Sequence, residues 1–162
     1  VTEGPLTPGF AVTCRGDEVF PAGTLVLHPR ALAVGIGCKK NLPTERVGEA
    51  VSGLFRRRGL ALESVCCLAS IDLKREDAGI RRLAERLDVP CWFYTAEELS
   101  AAEGELPASD FVRNVTGVGS VCDRAACLAA EGGPLMVEKT ARDGVTVAVA
   151  RRECFVRFEV EK

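Results

Sequence analysis

The feature that most constrains this chain is an alternation of short apolar runs with amphipathic helical segments. "ALAVGIG" (31–37) and "SVCCLASI" (64–71) are continuous apolar runs, typical of strands buried on both faces. Between them, "PTERVGEAVSGLFRRRG" (43–59) has apolar residues at helical spacing. "REDAGIRRLAERLD" is a second helical segment and "PCWFY" a third strand. The alternation predicts an α/β domain with a mostly parallel sheet.

The last third of the chain predicts a helix followed by a hairpin. "SVCDRAACLAAEGG" (120–133) reads as a helix that begins at a capping serine and ends at two glycines. "PLMVEK" and "GVTVAVARR" read as strands about the turn "ARDG". Because right-handed crossovers place helices on both faces of a sheet, we expect a three-layer α/β/α fold with an antiparallel edge hairpin.

Residues 1–30 differ from the rest of the chain. They are rich in proline and glycine, hold the only histidine and contain two short strand-like runs. We interpret 1–30 as a linker or the tail of a preceding domain, and 31–162 as the α/β domain. The chain begins with Val and its opening resembles an interdomain link, so we expect it to belong to a longer protein.

Composition narrows the classes of function. A formal net charge of −2 and a single Tyr and Trp argue against a nucleic-acid binder. No apolar run approaches the ~20 residues of a membrane helix, and the sequence shows no signal-peptide pattern of charged start and apolar middle. The eight cysteines lie mostly in apolar runs, which favours reduced thiols and a cytoplasmic protein. Cys66 and Cys67 are adjacent in a strand and should point to opposite faces, so we predict no metal site.

Candidate binding residues follow the predicted strands. In open α/β sheets, ligands bind beyond the carboxyl ends of the strands, an edge that we call the rim. The rim should combine lysines, turns containing Gly-x-Gly and the start of a helix, which together favour an anion. The candidate binding residues are Gly35, Gly37, Cys38, Lys39, Lys40, Lys74, Gly117, Gly119, Ser120, Lys139 and Thr140.

Simpler roles remain open for several of these residues. The alternative for the glycines is that they only allow tight turns between strand and helix, and the alternative for Lys40 is that it is a solvated surface residue. Asp72 is the candidate for catalysis, and the alternative is that it caps a turn. Cys38 is either a buried spacer or a reactive thiolate, and the lack of a neighbouring His favours the spacer. A dinucleotide fingerprint from Gly35 fails because its third glycine is replaced by Lys40, so a nucleotide-binding domain is the weakest alternative.

Five segments together resemble a known family. "LAVGIGCKKN", "ASIDLKRED", "LAERLDVPCWFYTAEEL", "VTGVGSVCDRAACLAA" and "LMVEKTARDGVTVAVARR" occur in the order found in the C-terminal domain of the CbiG family, which also exists alone as CobE. The resemblance covers residues 31–152. It implies a place in cobalamin biosynthesis, as a domain of cobalt-precorrin-5A hydrolase, which opens a δ-lactone on the corrin precursor and releases acetaldehyde.

The resemblance also implies a ligand and a partner. The anion would be a carboxylate of a tetrapyrrole, held by lysines and backbone N–H groups, and the cobalt would belong to the substrate, with no cofactor of the protein's own. The partner would be the N-terminal portion of the parent protein, without which we expect this chain to bind but not to turn over. Homo-oligomers are left open. The alternative function is a corrinoid-binding or carrier module without catalysis, as in CobE.

Overall fold

A computed structural model describes residues 9–102, 120–157 and 159. Its centre is a five-stranded mixed sheet of order β5-β4-β3-β7-β6. Strands β3 (Leu32–Cys38), β4 (Val65–Ile71) and β5 (Cys91–Tyr94) are parallel. Strand β7 (Val145–Arg151) lies antiparallel to β3 and to β6 (Leu135–Arg142). The predicted mixed α/β fold is confirmed.

The helices largely follow the predicted segments. Helix α1 (Glu45–Arg58) ends at Gly59, whose φ of 64° is the left-handed conformation that glycine adopts readily. Helix α2 (Ala78–Leu87) begins later than predicted, because Asp77 accepts hydrogen bonds from the N–H groups of the first turn. Helices α3 (Ala96–Ala101) and α4 (Val121–Ala129) follow β5 along the chain.

The two faces of the sheet differ in the size of their side chains. Leu32, Val34 and Ile36 of β3 pack with the apolar stripes of α1 and α2 in a core of large aliphatic residues. The alternate position Ala33 packs on the other face, where α4 covers the sheet. That second core consists mostly of alanine and cysteine. Small side chains let α4 approach the sheet closely.

The N-terminal segment contacts the domain at the end opposite to the rim. Strands β1 (Phe10–Val12) and β2 (Leu25–Leu27) pair in parallel. The N–H of Ala61 donates to the Cys14 carbonyl at 2.8 Å, just before β4 begins. Residues 9–30 are therefore attached to the amino-terminal edge of the sheet.

The edge hairpin is longer than predicted on its first strand. Asp143 and Gly144 form its two-residue turn with φ of 50° and 81°, as a type I′ turn requires. Strand β6 continues to Arg142, so Lys139 and Thr140 lie within the strand and not after it. The register of β6 on β7 is irregular between Val137 and Thr140, which makes room for this extra length.

None of the helices in residues 9–102 and 120–157 is long and apolar enough to cross a membrane.

Candidate functional site

The rim is formed where the carboxyl ends of β3, β4 and β5 meet. Because these strands are parallel, the residues that follow them share this edge of the sheet. The hairpin turn joins them, since Cys38 pairs with Val145 and the N–H of Lys39 donates to the Gly144 carbonyl at 2.9 Å. A hollow of about 480 Å³ opens here, and Gly37, Lys39 and Thr146 contribute to its wall.

The rim cations are available to a ligand. Lys39 and Lys40 are exposed, and Lys74 is half-buried in the short helical turn Asp72–Lys74 after β4. None of the three forms an ion pair with a carboxylate in the part of the chain that the structure describes. Because no described carboxylate competes for these lysines, they can form charge-assisted hydrogen bonds with an external anion.

An apolar side chain and a stacked guanidinium lie beside these lysines. Leu73, between Asp72 and Lys74, is 85% exposed. The Arg75 guanidinium carbon lies 5.3 Å from the centre of the Phe93 ring, within the range of a cation–π contact. The rim thus offers apolar surface as well as positive charge.

Cys38 is held as a neutral thiol. Its Sγ donates to Oδ2 of Asp77 at 3.3 Å, while Oδ1 of Asp77 accepts from the N–H groups of Gly79 and Ile80. Burial and the Asp77 carboxylate raise the pKa of Cys38 to about 11, although Lys74 opposes the shift. A thiol with such a pKa is protonated at neutral pH, so the geometry favours the spacer role over a nucleophile.

Gly35 is a packing residue, contrary to its prediction as a ligand contact. It is buried under α4, and a Cβ on it would overlap the carbonyl of Cys122. Gly37 is half-buried, and a Cβ there would crowd Oγ1 of Thr146, which itself donates to the Gly37 carbonyl at 3.3 Å. Gly117 and Gly119 lie outside the described residues.

Ser120 begins α4 but does not cap it through its side chain. Its hydroxyl lies 2.8 Å from Sγ of Cys122. Since the carbonyl of Cys122 lies over Gly35 of β3, this first turn is placed near the rim. The first turn of α4 therefore packs on β3, the strand whose carboxyl end contributes to the rim.

Sequence reasoning missed Asp123, the buried carboxyl of α4. It is 8% exposed, and its Oδ1 accepts from the N–H of Lys139 at 2.8 Å. Lys139 lies in the irregular part of β6, where the strand's own pairing is interrupted. Burial raises the pKa of Asp123 above its ordinary value, partly offset by the Lys139 N–H. The available signal was one acidic residue in a helix whose other residues, apart from Arg124, are apolar.

Asp72 stands at the start of the helical turn after β4. It is half-buried, and its backbone carbonyl accepts from the N–H of Arg75 at 3.0 Å. No ion pair with a described cation occupies its carboxylate. Its place beside Lys74 fits a residue that faces a bound ligand at the rim.

The fold defines the class: a mixed α/β domain whose parallel strands end at one rim. Residues 32–150 match the family described as Cobalamin synthesis G C-terminus. The match covers most of the chain, and the chain belongs to this family.

Two curated relatives and one solved structure give the context. The chain is 32% identical over 141 residues to a cobalt-precorrin-5A hydrolase of Salmonella typhimurium, covering 86% of this chain and 40% of that protein. It is 31% identical over 121 residues to Protein CobE of a Sinorhizobium species, and the match covers 74% of this chain and 79% of that protein. The crystal structure of cobalamin biosynthesis protein chiG from Agrobacterium tumefaciens superposes on this chain with a TM-score of 0.63 and 30% sequence identity. The match covers 76% of this chain and 99% of that chain. The chain thus spans well under half of the Salmonella hydrolase and most of CobE.

Proposed function

We propose that the rim binds a cobalt-containing corrin precursor during cobalamin biosynthesis. The observation that carries the proposal is that Lys39, Lys40 and Lys74, free of described carboxylate partners, lie at the same rim as the exposed side chain of Leu73. A corrin precursor has a broad apolar ring and a periphery of acetate and propionate groups. Lysines would hold the carboxylates and Leu73 would contact the ring.

The proposed function of this chain is that of one domain of a cobalt-precorrin-5A hydrolase, the activity for which the longer relatives are named. Water attacks the carbonyl of the δ-lactone, and the ring-opened product carries a new carboxylate and a hydroxyethyl group. A base then takes the hydroxyl proton, the bond to the ring carbon breaks, and acetaldehyde leaves while the ring receives the electron pair. Backbone N–H groups near Gly37 and Ser120 would stabilise the oxyanion. The cobalt is part of the substrate.

The general base for this reaction would come from a second part of the parent protein. Asp72, at the start of the helical turn after β4, is the candidate carboxylate within this chain. Active sites often form where two domains meet, and the Salmonella relative is much longer than this chain. We therefore assign binding to this domain and propose that turnover needs the N-terminal portion.

A second candidate is a corrinoid-binding or carrier module without catalysis. The length of CobE favours it, because this chain matches 79% of that protein and little of CobE is left over. A cytoplasmic location is a further expectation of both candidates, and both are compatible with a homo-oligomer.

The deciding experiment is acetaldehyde release from cobalt-precorrin-5A. The assay compares this chain, the full-length parent, and this chain mixed with the separately produced N-terminal portion. The proposal predicts release by the parent and by the mixture, with binding but no release by the chain alone. Release by the chain at the parent's rate would contradict a split site and make Asp72 the first residue to replace. Binding without release in all three samples would favour the carrier module.

A further inference from the structure

A β-bulge near the start of β4 brings two thiols together. Leu32 of β3 pairs with Val65, but the next residue, Ala33, pairs with Cys67, so Cys66 is an extra residue in the strand. The Sγ atoms of Cys66 and Cys67 are 3.7 Å apart. Adjacent residues of a regular strand point to opposite faces, and the expectation that these two thiols do so is therefore wrong.

The packing of the neighbouring residues supports the same geometry. Val65 and Leu68 lie in the aliphatic core beneath α1 and α2. Cys66 and Cys67 both pack on the other face, with the alanines and cysteines beneath α4. The alternation of faces is thus interrupted at the bulge, and both sulfur atoms are on the same side of the sheet.

The spacing of the two sulfur atoms fits a chelated metal ion. Two thiolates that bind one ion at about 2.3 Å each, with their sulfur atoms 3.7 Å apart, subtend an angle of about 107° at the ion. That angle is close to the tetrahedral value that Zn²⁺ prefers. We propose that Cys66 and Cys67 form a two-thiolate site for a thiophilic divalent metal ion.

The site would be open on its remaining positions. Within residues 9–102 and 120–157, no group of three or more His, Cys, Asp and Glu side chains is arranged to hold a metal ion. Water or a small external ligand would therefore complete the coordination, as in zinc sites that keep an exchangeable position. Two thiolates and a divalent ion are together neutral, which reduces the cost of burial.

The pair is separate from the corrinoid site. Cys66 lies at the amino-terminal end of β4, near the first β3–β4 pair of Leu32 and Val65, whereas the rim is at the carboxyl end. Cys66 is half-buried and gives access to the pair, while Cys67 is buried. A metal ion here would not contact a ligand at the rim, so binding at the two sites can be measured independently.

The test uses the 162-residue chain, reduced with a phosphine that does not itself supply thiols. Zn²⁺ is titrated in competition with a chromogenic chelator, and Co²⁺ serves as a probe whose absorption reports thiolate coordination. The expected result is one ion per chain with a thiolate-to-Co²⁺ charge-transfer band. In Cys66→Ser the metal affinity should fall by more than about tenfold. Loss of a residue that merely supports a metal ligand already costs about tenfold or more, and Cys66 would be a ligand itself.

Cys154→Ser is the matched control, because Cys154 is an exposed cysteine outside the pair. It should bind one ion as the unmodified chain does. Cys67→Ser should behave as Cys66→Ser does if it melts normally, and if this buried substitution prevents folding, Cys66→Ser alone decides. Equal binding by Cys66→Ser and the unmodified chain, or no stoichiometric binding by the unmodified chain, would overturn the proposal.

Discussion

The backbone of Gly35 lies directly beneath the carbonyl group of Cys122, with no room between them for a side chain. This contact fixes the first turn of α4 against the middle of β3. It also explains why the sheet under α4 carries alanine and cysteine where the opposite face carries valine, leucine and isoleucine. The position of Ser120 near the rim depends on this close approach of helix to strand.

Replacing Gly35 by alanine should therefore destabilise the domain. A methyl group would meet backbone atoms of α4, which cannot rotate away, so we expect a loss on the order of 1–3 kcal/mol in the free energy of unfolding. Chemical denaturation measures it. Gly53→Ala is the control, since its Cβ would contact only the flexible end of Arg57 and its helix should gain about 0.5–1 kcal/mol. Equal stability of the two variants would contradict close packing at Gly35.

Asp123 should stabilise the domain through its hydrogen bond and not through its charge. Asp123→Ala leaves the Lys139 N–H without its acceptor and should cost about 1–3 kcal/mol. Asp123→Asn keeps an acceptor oxygen and should be close to the unmodified protein or more stable at pH 7. Denaturation of both variants measures this, and a larger loss for Asn than for Ala would contradict it.

The pH dependence of Asp123 has a defined sign. Because its folded-state pKa is raised above the ordinary 3.8, the folded state binds the proton more tightly than the unfolded state. The stability contributed by this group should therefore decrease as pH rises from about 4 through the folded-state pKa, and level off above it. The unfolding free energy of the unmodified chain minus that of Asp123→Asn, measured from pH 3.5 to 8, isolates the effect. A difference that rises across this range would show the opposite shift.

Cys38 should be unreactive and dispensable for the chemistry. A pKa of about 11 leaves roughly one thiol in a thousand ionised at pH 8, so alkylation should be much slower than at the exposed Cys154. Mass spectrometry of the alkylated peptides measures the two rates. Cys38→Ser and Cys38→Ala should retain acetaldehyde release in the full-length parent. Loss of release in both variants, with normal corrinoid binding and melting, would assign Cys38 a catalytic role.

The main architecture was predictable because its patterns are local. Helical spacing located α1 almost to the residue, and the Asp-Gly pair located the hairpin turn. The two bulges, at Cys66 and near Lys139, were not predictable, since they depend on how neighbouring strands pair. One of them reversed the expected orientation of a cysteine, and the other gave Asp123 its backbone partner.

The sequence was sufficient to predict that the candidate site lies at the rim of the sheet. It was less informative about which residues at the rim contact a ligand. The rule that ligands bind at the carboxyl ends of parallel strands placed Lys39, Lys40 and Lys74 together. A glycine that serves a ligand and one that serves helix packing look alike in sequence, so Gly35 was grouped wrongly. The thiol partner of Cys38, Asp77, is distant by 39 positions and only the folded chain brings the two together.

Removing the rim lysines should weaken binding of the corrin precursor while leaving the fold intact. Lys39→Ala and Lys74→Ala remove charges without opening a cavity, and each should cost on the order of 1–3 kcal/mol of binding, with exposed Lys39 at the low end. Arg58→Ala is the control, an exposed cation at the far end of α1. A lysine variant that melts early yet binds normally would assign that lysine a structural role.

The most direct test of the account is titration of the chain with a cobalt-corrin intermediate that carries its free carboxylates, followed by the absorption of the macrocycle. Saturable binding is expected, and it should weaken as salt is raised from 50 to 500 mM, because the Debye length falls from above about 10 Å to below about 8 Å and exposed ion pairs are increasingly screened. The same titration with NAD and with ATP should show no comparable binding. Binding of either nucleotide with none of the corrinoid would contradict the proposed function.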